Sequence, residues 1–113
     1  MIFETEKQSE TLLVRLPGAS LDASKSNEFK RDVMPLLQSS RNVIFDLGQL
    51  TFIDSSGLGA ILSCLRQMNG MQGDLKLCRM QKTVRVLFEM VRMNRVFDIH
   101  ETPEEAAASF KVH

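Results

Sequence analysis

The sequence predicts an α/β domain: a mixed, mostly parallel β-sheet with about four helices packed mainly on one of its faces. Three observations carry this prediction. The chain opens with two short apolar runs and then alternates strand-like with helix-like segments. The run Val43-Ile44-Phe45-Asp46-Leu47 is almost continuously apolar, the pattern of a central strand covered on both faces. At 113 residues, 43% hydrophobic and 25% charged, the chain has material for one modest core. Residues 1–113 are therefore expected to form a single domain.

The first apolar runs, Ile2-Phe3 and Leu12 to Leu16, flank the polar stretch Glu6 to Glu10 and suit an antiparallel hairpin that Pro17-Gly18 ends. After the cap-rich segment Asp22-Ala23-Ser24 the period becomes helical, with Phe29, Val33 and Leu36-Leu37 on one stripe. Pro35 is expected to kink or shorten the last turns of that helix. Val43 to Leu47 follows as the central strand. A turn at Gly48-Gln49 and a second apolar run, Leu50 to Ile53, then lead to Asp54-Ser55-Ser56-Gly57. Capping residues here precede Leu58, Ile61-Leu62, Leu65 and Met68 at helical spacing.

Asn69-Gly70 and Gly73 break this helix, and Leu75 to Cys78 alternates like a strand. Val84, Leu87-Phe88 and Val91 mark a helix from about Thr83 to Asn94, and Val96 to Ile99 a last strand. Thr102-Pro103-Glu104-Glu105 combines a capping-box pattern with proline at the first helical position, ahead of an alanine-rich final helix. Right-handed crossovers make the later strands parallel neighbours.

Charge and composition exclude several function classes. Lys+Arg and Asp+Glu are both 14, so no net field draws the chain to nucleic acid or an anionic membrane. Met1-Ile2-Phe3 runs straight into Glu4, Glu6 and Lys7, without the pattern of a signal peptide, and no apolar stretch is long enough for a membrane span. We expect a cytoplasmic protein. Cys64 and Cys78 lack metal-ligand or redox-motif spacing and read as small core residues. Met68, Met71, Met80, Met90 and Met93 are assigned to core and groove filling, and Arg79, Lys82, Arg85, Arg92 and Arg95 to a solvated helix face.

Functional residues in open α/β sheets gather beyond the carboxyl ends of the strands, where Asp54 to Gly57 falls. With Ser55 as the cap, Ser56 lies in the first turn, beside unpaired N–H groups that carry positive partial charge. A phosphate added there brings roughly −1.5 to −2 charges to the surface shown to a partner, stabilised by the helix end. Gly57 and Gly59, lacking Cβ atoms, would let a partner's backbone approach. A purely structural cap accounts for the same local residues.

Phe45-Asp46-Leu47 followed by Leu50-Thr51-Phe52-Ile53-Asp54-Ser55-Ser56-Gly57-Leu58-Gly59-Ala60-Ile61-Leu62 closely resembles the signature of bacterial anti-sigma-factor antagonists, the STAS-domain family. Leu16-Pro17-Gly18 through Leu21-Asp22, Leu75 to Cys78 and Val84 to Asp98 are similar to that family's neighbouring elements, so nearly the whole chain is covered. The resemblance implies a STAS fold and a non-enzymatic protein without a cofactor or metal. It implies phosphorylation in the serine turn, assigned to Ser56 with Ser55 as the alternative. The partner would be an anti-sigma factor that is also a serine kinase of the histidine-kinase-like ATPase fold, and a PP2C-type serine phosphatase would reverse the modification. The unphosphorylated form would bind the anti-sigma factor and release its target. Asp22, Asp54, Ser55, Ser56, Gly57, Leu58 and Gly59 would form the partner-binding surface, although Asp22 and Asp54 are equally explained as helix-terminal residues.

Three rival readings differ in class. A serine hydrolase needs a Gly-x-Ser-x-Gly elbow and a positioned base, whereas His100 and His113 are the only histidines. A receiver using Asp46 or Asp54 needs further acidic Mg²⁺ ligands, which the opening hairpin lacks. A STAS scaffold or sensor within a larger assembly, without a phosphoswitch, is the third.

Overall fold

The structure, a computed structural model, describes residues 1–110. In chain order its elements are β1 (Glu4–Gln8), β2 (Thr11–Arg15), β3 (Ser20–Leu21), α1 (Ser26–Gln38), β4 (Asn42–Asp46), β5 (Phe52–Ile53), α2 (Ser55–Gly70), β6 (Asp74–Cys78), α3 (Lys82–Met90), a 3-10 turn over Met93–Arg95, β7 (Asp98–His100) and α4 (Pro103–Ala108). Five strands form one sheet in the order β1-β2-β4-β6-β7. Only the β1–β2 pair is antiparallel. β3 and β5 pair with each other, parallel, as a separate two-residue ladder.

Strand side chains alternate between faces, and in β2, β4 and β6 both sets are covered. Leu12, Val14, Val43, Phe45, Leu75 and Leu77 enter the main core with Phe29, Val33 and Leu37 of α1, Ile61, Cys64 and Met68 of α2, and Val84 and Phe88 of α3. Leu13, Ile44 and Cys78 face the other way, under Ala106 and Phe110. Hence β4 reads as continuously apolar. Phe29 sits edge-on to Phe45, with ring centroids 6.0 Å apart. Each aromatic buried this way contributes about 2–3 kcal/mol by removal from water.

The expected mixed, mostly parallel sheet with four helices is present, and several element boundaries differ. The first strand is Glu4–Gln8, not Ile2-Phe3. All five of its residues are exposed, so this edge strand has no buried face to imprint a period on the sequence. Phe3 instead stacks edge-on against Phe29 at 5.9 Å. α1 begins at Ser26 rather than near Ser24 because Asp22 to Lys25 forms a turn, and it runs through Pro35 to Gln38. Burial of Val33 and Leu37 on its inner face holds that last turn.

The strand expected over Leu50 to Ile53 shrinks to Phe52–Ile53, because the Leu50 N–H turns back to the Leu47 carbonyl at 3.0 Å. α3 stops at Met90, four residues short of Asn94, and Arg92 takes the left-handed conformation (φ 61°) that starts the 3-10 turn. The last strand is Asp98–His100 rather than Val96 to Ile99. Thr102 Oγ1 accepts from the Glu105 N–H at 3.1 Å, so the final helix starts with its predicted cap. Among the described residues, no helix is long and apolar enough to cross a membrane.

Candidate functional site

The serine turn is built from β5 outward. The Thr51 and Phe52 N–H groups donate to the Ala19 carbonyl at 2.7 and 3.1 Å, and the Asp54 N–H donates to Leu21 O at 3.3 Å. These bonds lock β5 beside β3 and fix where the chain turns into α2. Asp54 keeps extended backbone (φ −108°, ψ −175°), and its Oδ1 accepts from the Gly57 N–H at 2.9 Å. Asp54, not Ser55, is therefore the N-cap. An aspartate caps as well as a serine and stands one residue earlier. Ser55 and Ser56 become the first two helical residues, and both are exposed. Neither N–H has an acceptor within the described residues, so the turn presents two donors together with the positive end of a 16-residue helix.

The other Asp54 oxygen reaches across to the β3–α1 loop, where Oδ2 accepts from the Ala23 N–H at 3.0 Å. One carboxylate thus ties the serine turn to the loop carrying Asp22. Asp22 Oδ1 accepts from the Ser24 N–H at 3.0 Å and from its hydroxyl at 2.6 Å. The Ser24 hydroxyl holds the Asp22 carboxyl below its ordinary pKa. The Asp22 carbonyl accepts from the Lys25 and Ser26 N–H groups and from Ser26 Oγ. Asp22 therefore organises the turn before α1, but its side chain does not cap that helix.

The two glycines do different things. Gly57 is buried, and a Cβ there would lie 2.2 Å from Leu21 O and 2.7 Å from Ile53 Cγ1. Its role is to let α2 press on the β3–β5 ladder, so it is not the open approach expected from the sequence. Gly59 is exposed with nothing within 4 Å of a Cβ, and it does leave the helix mouth open. Leu58 is half-buried and packs against the core. The structure thus gathers Asp22, Asp54, Ser55, Ser56, Leu58 and Gly59 around one turn, with Gly57 beneath it. It adds Phe52, which is 50% exposed just before the turn. Its apolar run could equally have been buried, so the sequence carried no signal of this.

The enzymatic and receiver readings lack their geometry. His100 Nε2 lies 3.2 Å from both Ser109 Oγ and Asp98 Oδ2, a cluster built by β7 and the α4 end rather than by the serine turn. His113 lies outside the described residues. Asp46 is buried and engaged by the Gly48 N–H at 2.8 Å, Arg79 at 3.2 Å and Arg15 at 3.6 Å, so its own carboxylate is not open to accept a phosphoryl group, and both Asp54 oxygens already accept backbone N–H groups. Among the described residues, no three His, Cys, Asp or Glu side chains group as a metal site. Burial pushes the Cys64 and Cys78 thiols up to about 12, as core positions require. Met68 and Met80 are buried, but Met71 and Met90 are exposed, which departs from core filling.

The STAS domain family model matches residues 3–106. A Bordetella bronchiseptica relative, named as anti-sigma factor antagonist BtrV, is 38% identical over 74 residues, spanning 66% of this chain and 64% of its own length. The anti-sigma F factor antagonist of Paenibacillus polymyxa is 28% identical over 111 residues, covering 96% of this chain and 94% of the relative. The anti-sigma factor antagonist SpoIIAA, solved in its unphosphorylated form, superposes with a TM-score of 0.76 at 25% identity, over 94% and 93% of the two chains. SpoIIAA of Bacillus has also been solved in the phosphorylated form, with a TM-score of 0.69 at 24% identity over 95% and 97% of the chains.

Proposed function

The chain belongs to the STAS-domain family, and from that premise we propose that it is an anti-sigma-factor antagonist switched by phosphorylation of the Ser55-Ser56 turn. Anti-sigma factor antagonists of this family are non-enzymatic regulators, and this chain is read as one domain over 1–113 acting in the cytoplasm. Unphosphorylated, it binds an anti-sigma factor that is also a serine kinase of the histidine-kinase-like ATPase fold, and so releases that factor's target. ATP bound to the kinase gives its γ-phosphoryl group to a serine oxygen, which loses its proton as ADP leaves. A PP2C-type phosphatase hydrolyses the ester.

The observation that carries the reading is the pair of exposed hydroxyls on the first turn of α2, which Asp54 caps while joining it to the Asp22 loop. A phosphate here gains the two unpaired N–H groups and the helix dipole, so the modified form keeps its fold. The partner must then desolvate a near-dianion beside the Asp22 and Asp54 carboxylates, and binding is lost through charge rather than refolding. The resemblance to the family assigns the phosphate to Ser56, with Ser55 as the alternative. With Asp54 as cap both serines occupy the first turn, so Ser56 remains the assignment and Ser55 its alternative.

The test is incubation with ATP and each candidate kinase, followed by intact-mass analysis and peptide mapping on wild type, Ser55→Ala, Ser56→Ala and the double variant. Addition of one phosphoryl group that the double variant and one single variant lose identifies the acceptor. The matching Asp substitution should bind the kinase at least about tenfold more weakly than the Ala substitution. An unmodified wild-type chain in all reactions refutes the switch and favours the scaffold or sensor reading.

A further inference from the structure

We propose that a cavity at the amino-terminal end of the parallel strands binds a neutral polyhydroxylated small molecule, a sugar or a sugar alcohol. No residue of the serine turn lines it. α2 starts at that turn and ends at the cavity rim, so its 16 residues set the two sites about 24 Å apart.

Strand register builds the floor. Thr11 pairs with Asn42 and Asn42 with Asp74, so the three lie side by side on β2, β4 and β6. By alternation they share the face of Leu13, Ile44 and Cys78, which Ala106 and Phe110 cover. The polar row stays open beside that cover, beneath a cavity of about 700 Å³ that Ser109 and Phe110 help to wall. Small-molecule sites have this size.

The rim is preformed, and the floor has hydrogen-bonding capacity left over. The Asn42 N–H donates to the Glu10 carbonyl at 3.2 Å and the Asp74 N–H to the Arg41 carbonyl at 2.9 Å, which ties neighbouring loops together. Gly73 lets them close up, since a Cβ there would lie 2.6 Å from Arg41 O. Thr11 and Asn42 are half-buried, and neither side chain has a hydrogen-bond partner among the described residues. Lys76 is only 6% exposed and gives one of its three N–H donors to Asp98. Asp74 Oδ2, at 3.7 Å, is beyond hydrogen-bond reach of that ammonium.

The lining selects the chemical class. Its charges, Glu10 and Asp74 against Arg41 and Lys76, cancel, so no net field attracts an ion. Thr11, Asn42, Asn69 and Gln72 can each donate and accept, which matches hydroxyl groups that do the same. The Phe110 ring, 5.0 Å from Lys76 Nζ, adds an apolar wall for the C–H face of a sugar or a polyol chain. An apolar ligand would leave the floor groups unpaired at a cost in free energy.

The test follows backbone amide NMR shifts of the full unphosphorylated chain during titration with D-glucose, myo-inositol and D-glucitol. Glucose 6-phosphate and glutamate serve as charged comparisons. At least one neutral probe should give saturable shifts centred on residues 9–11, 41–42 and 69–76, with a Kd below about 10 mM. Thr11→Val combined with Asn42→Ala should weaken that binding at least about tenfold. If circular dichroism shows this variant misfolded, Gln72→Ala on the exposed rim replaces it, with at least about threefold weakening expected. No saturation with any neutral probe, or unchanged binding by the folded variant, overturns the site. Tighter binding of a charged probe at the same amides overturns the class, and saturable shifts confined to residues 54–59 overturn the placement. The readout involves neither kinase nor phosphate, so failure here leaves the function proposed above intact, and failure of that function leaves this site.

Discussion

Replacing Gly57 with alanine places one methyl group where the structure has no room, and replacing Gly59 places the same group in open space. The Gly57 Cβ would lie 2.2 Å from Leu21 O, 3.0 Å from Leu21 C and 2.7 Å from Ile53 Cγ1. The isoleucine methylene can rotate away. The carbonyl cannot, because Leu21 O accepts the Asp54 N–H and Leu21 is paired with Ile53 in the β3–β5 ladder. Forcing a methyl group against fixed backbone costs about 3 kcal/mol, the upper part of the range for overpacking. Alanine's better helix propensity returns about 1 kcal/mol. Gly57→Ala should therefore destabilise by about 2 kcal/mol, and Gly59→Ala, with only the propensity term, should stabilise by about 1 kcal/mol. At about 4 °C per kcal/mol for a domain of this size, the melting temperatures should move about 8 °C down and about 4 °C up. The sequence has no Trp and no Tyr, so urea unfolding is best followed by far-UV circular dichroism. A Gly57→Ala variant within about 0.5 kcal/mol of wild type would refute the close approach of α2 to the ladder.

Three further predictions follow from individual contacts. Asp54→Ala removes the N-cap bond and the link to Ala23 together; it should cost about 2 kcal/mol and speed hydrogen exchange at the Ala23 amide, while Asp54→Asn retains most of the cap. Unchanged Ala23 exchange in Asp54→Ala would show that the link between turn and loop is absent in solution. Lys76, and secondarily His100, hold the Asp98 carboxyl below its ordinary value of 3.8, so this contribution to stability is fully present above about pH 4 and is lost as pH falls through the lower folded value. Acid titration of Asp98→Asn should show a shallower decline below pH 4 than wild type, and identical profiles would dismiss the pair. Native Cys64 and Cys78, buried with thiols pushed up to about 12, should resist iodoacetamide at neutral pH and both react in denaturant; prompt native alkylation would contradict their burial.

The proposed binding surface divides its work between rigid and exposed parts. Gly57, Ile53 and Leu21 lie beneath the turn and fix its position; Ser55, Ser56 and Gly59 lie above it and face solvent. A modification confined to the upper layer alters charge without disturbing the packing below.

The sequence by itself determined the class of fold and the place of the site. β4 is a nearly continuous apolar run, β2 and β6 bury Leu12 and Val14, and Leu75 and Leu77, on the main core face, α1 and α2 carry one apolar stripe each, and the change between those periods marks where strand gives way to helix. The Asp54 to Gly59 signature made the serine turn legible because capping chemistry is local: three or four neighbouring residues specify it. What only the tertiary structure decided depends on contacts between segments distant in sequence. The fully exposed β1 and the two-residue β3 leave no hydrophobic period, since one has no buried face and the other is too short to show one. Whether Asp54 or Ser55 caps α2, and whether Gly57 is an opening or a close packing point, follows from where Ala23 and the Leu21 carbonyl lie, more than thirty residues earlier in the chain. Val84 and Val86 are the same residue type two positions apart; one is buried and the other faces solvent because only the sheet's position distinguishes the sides of α3.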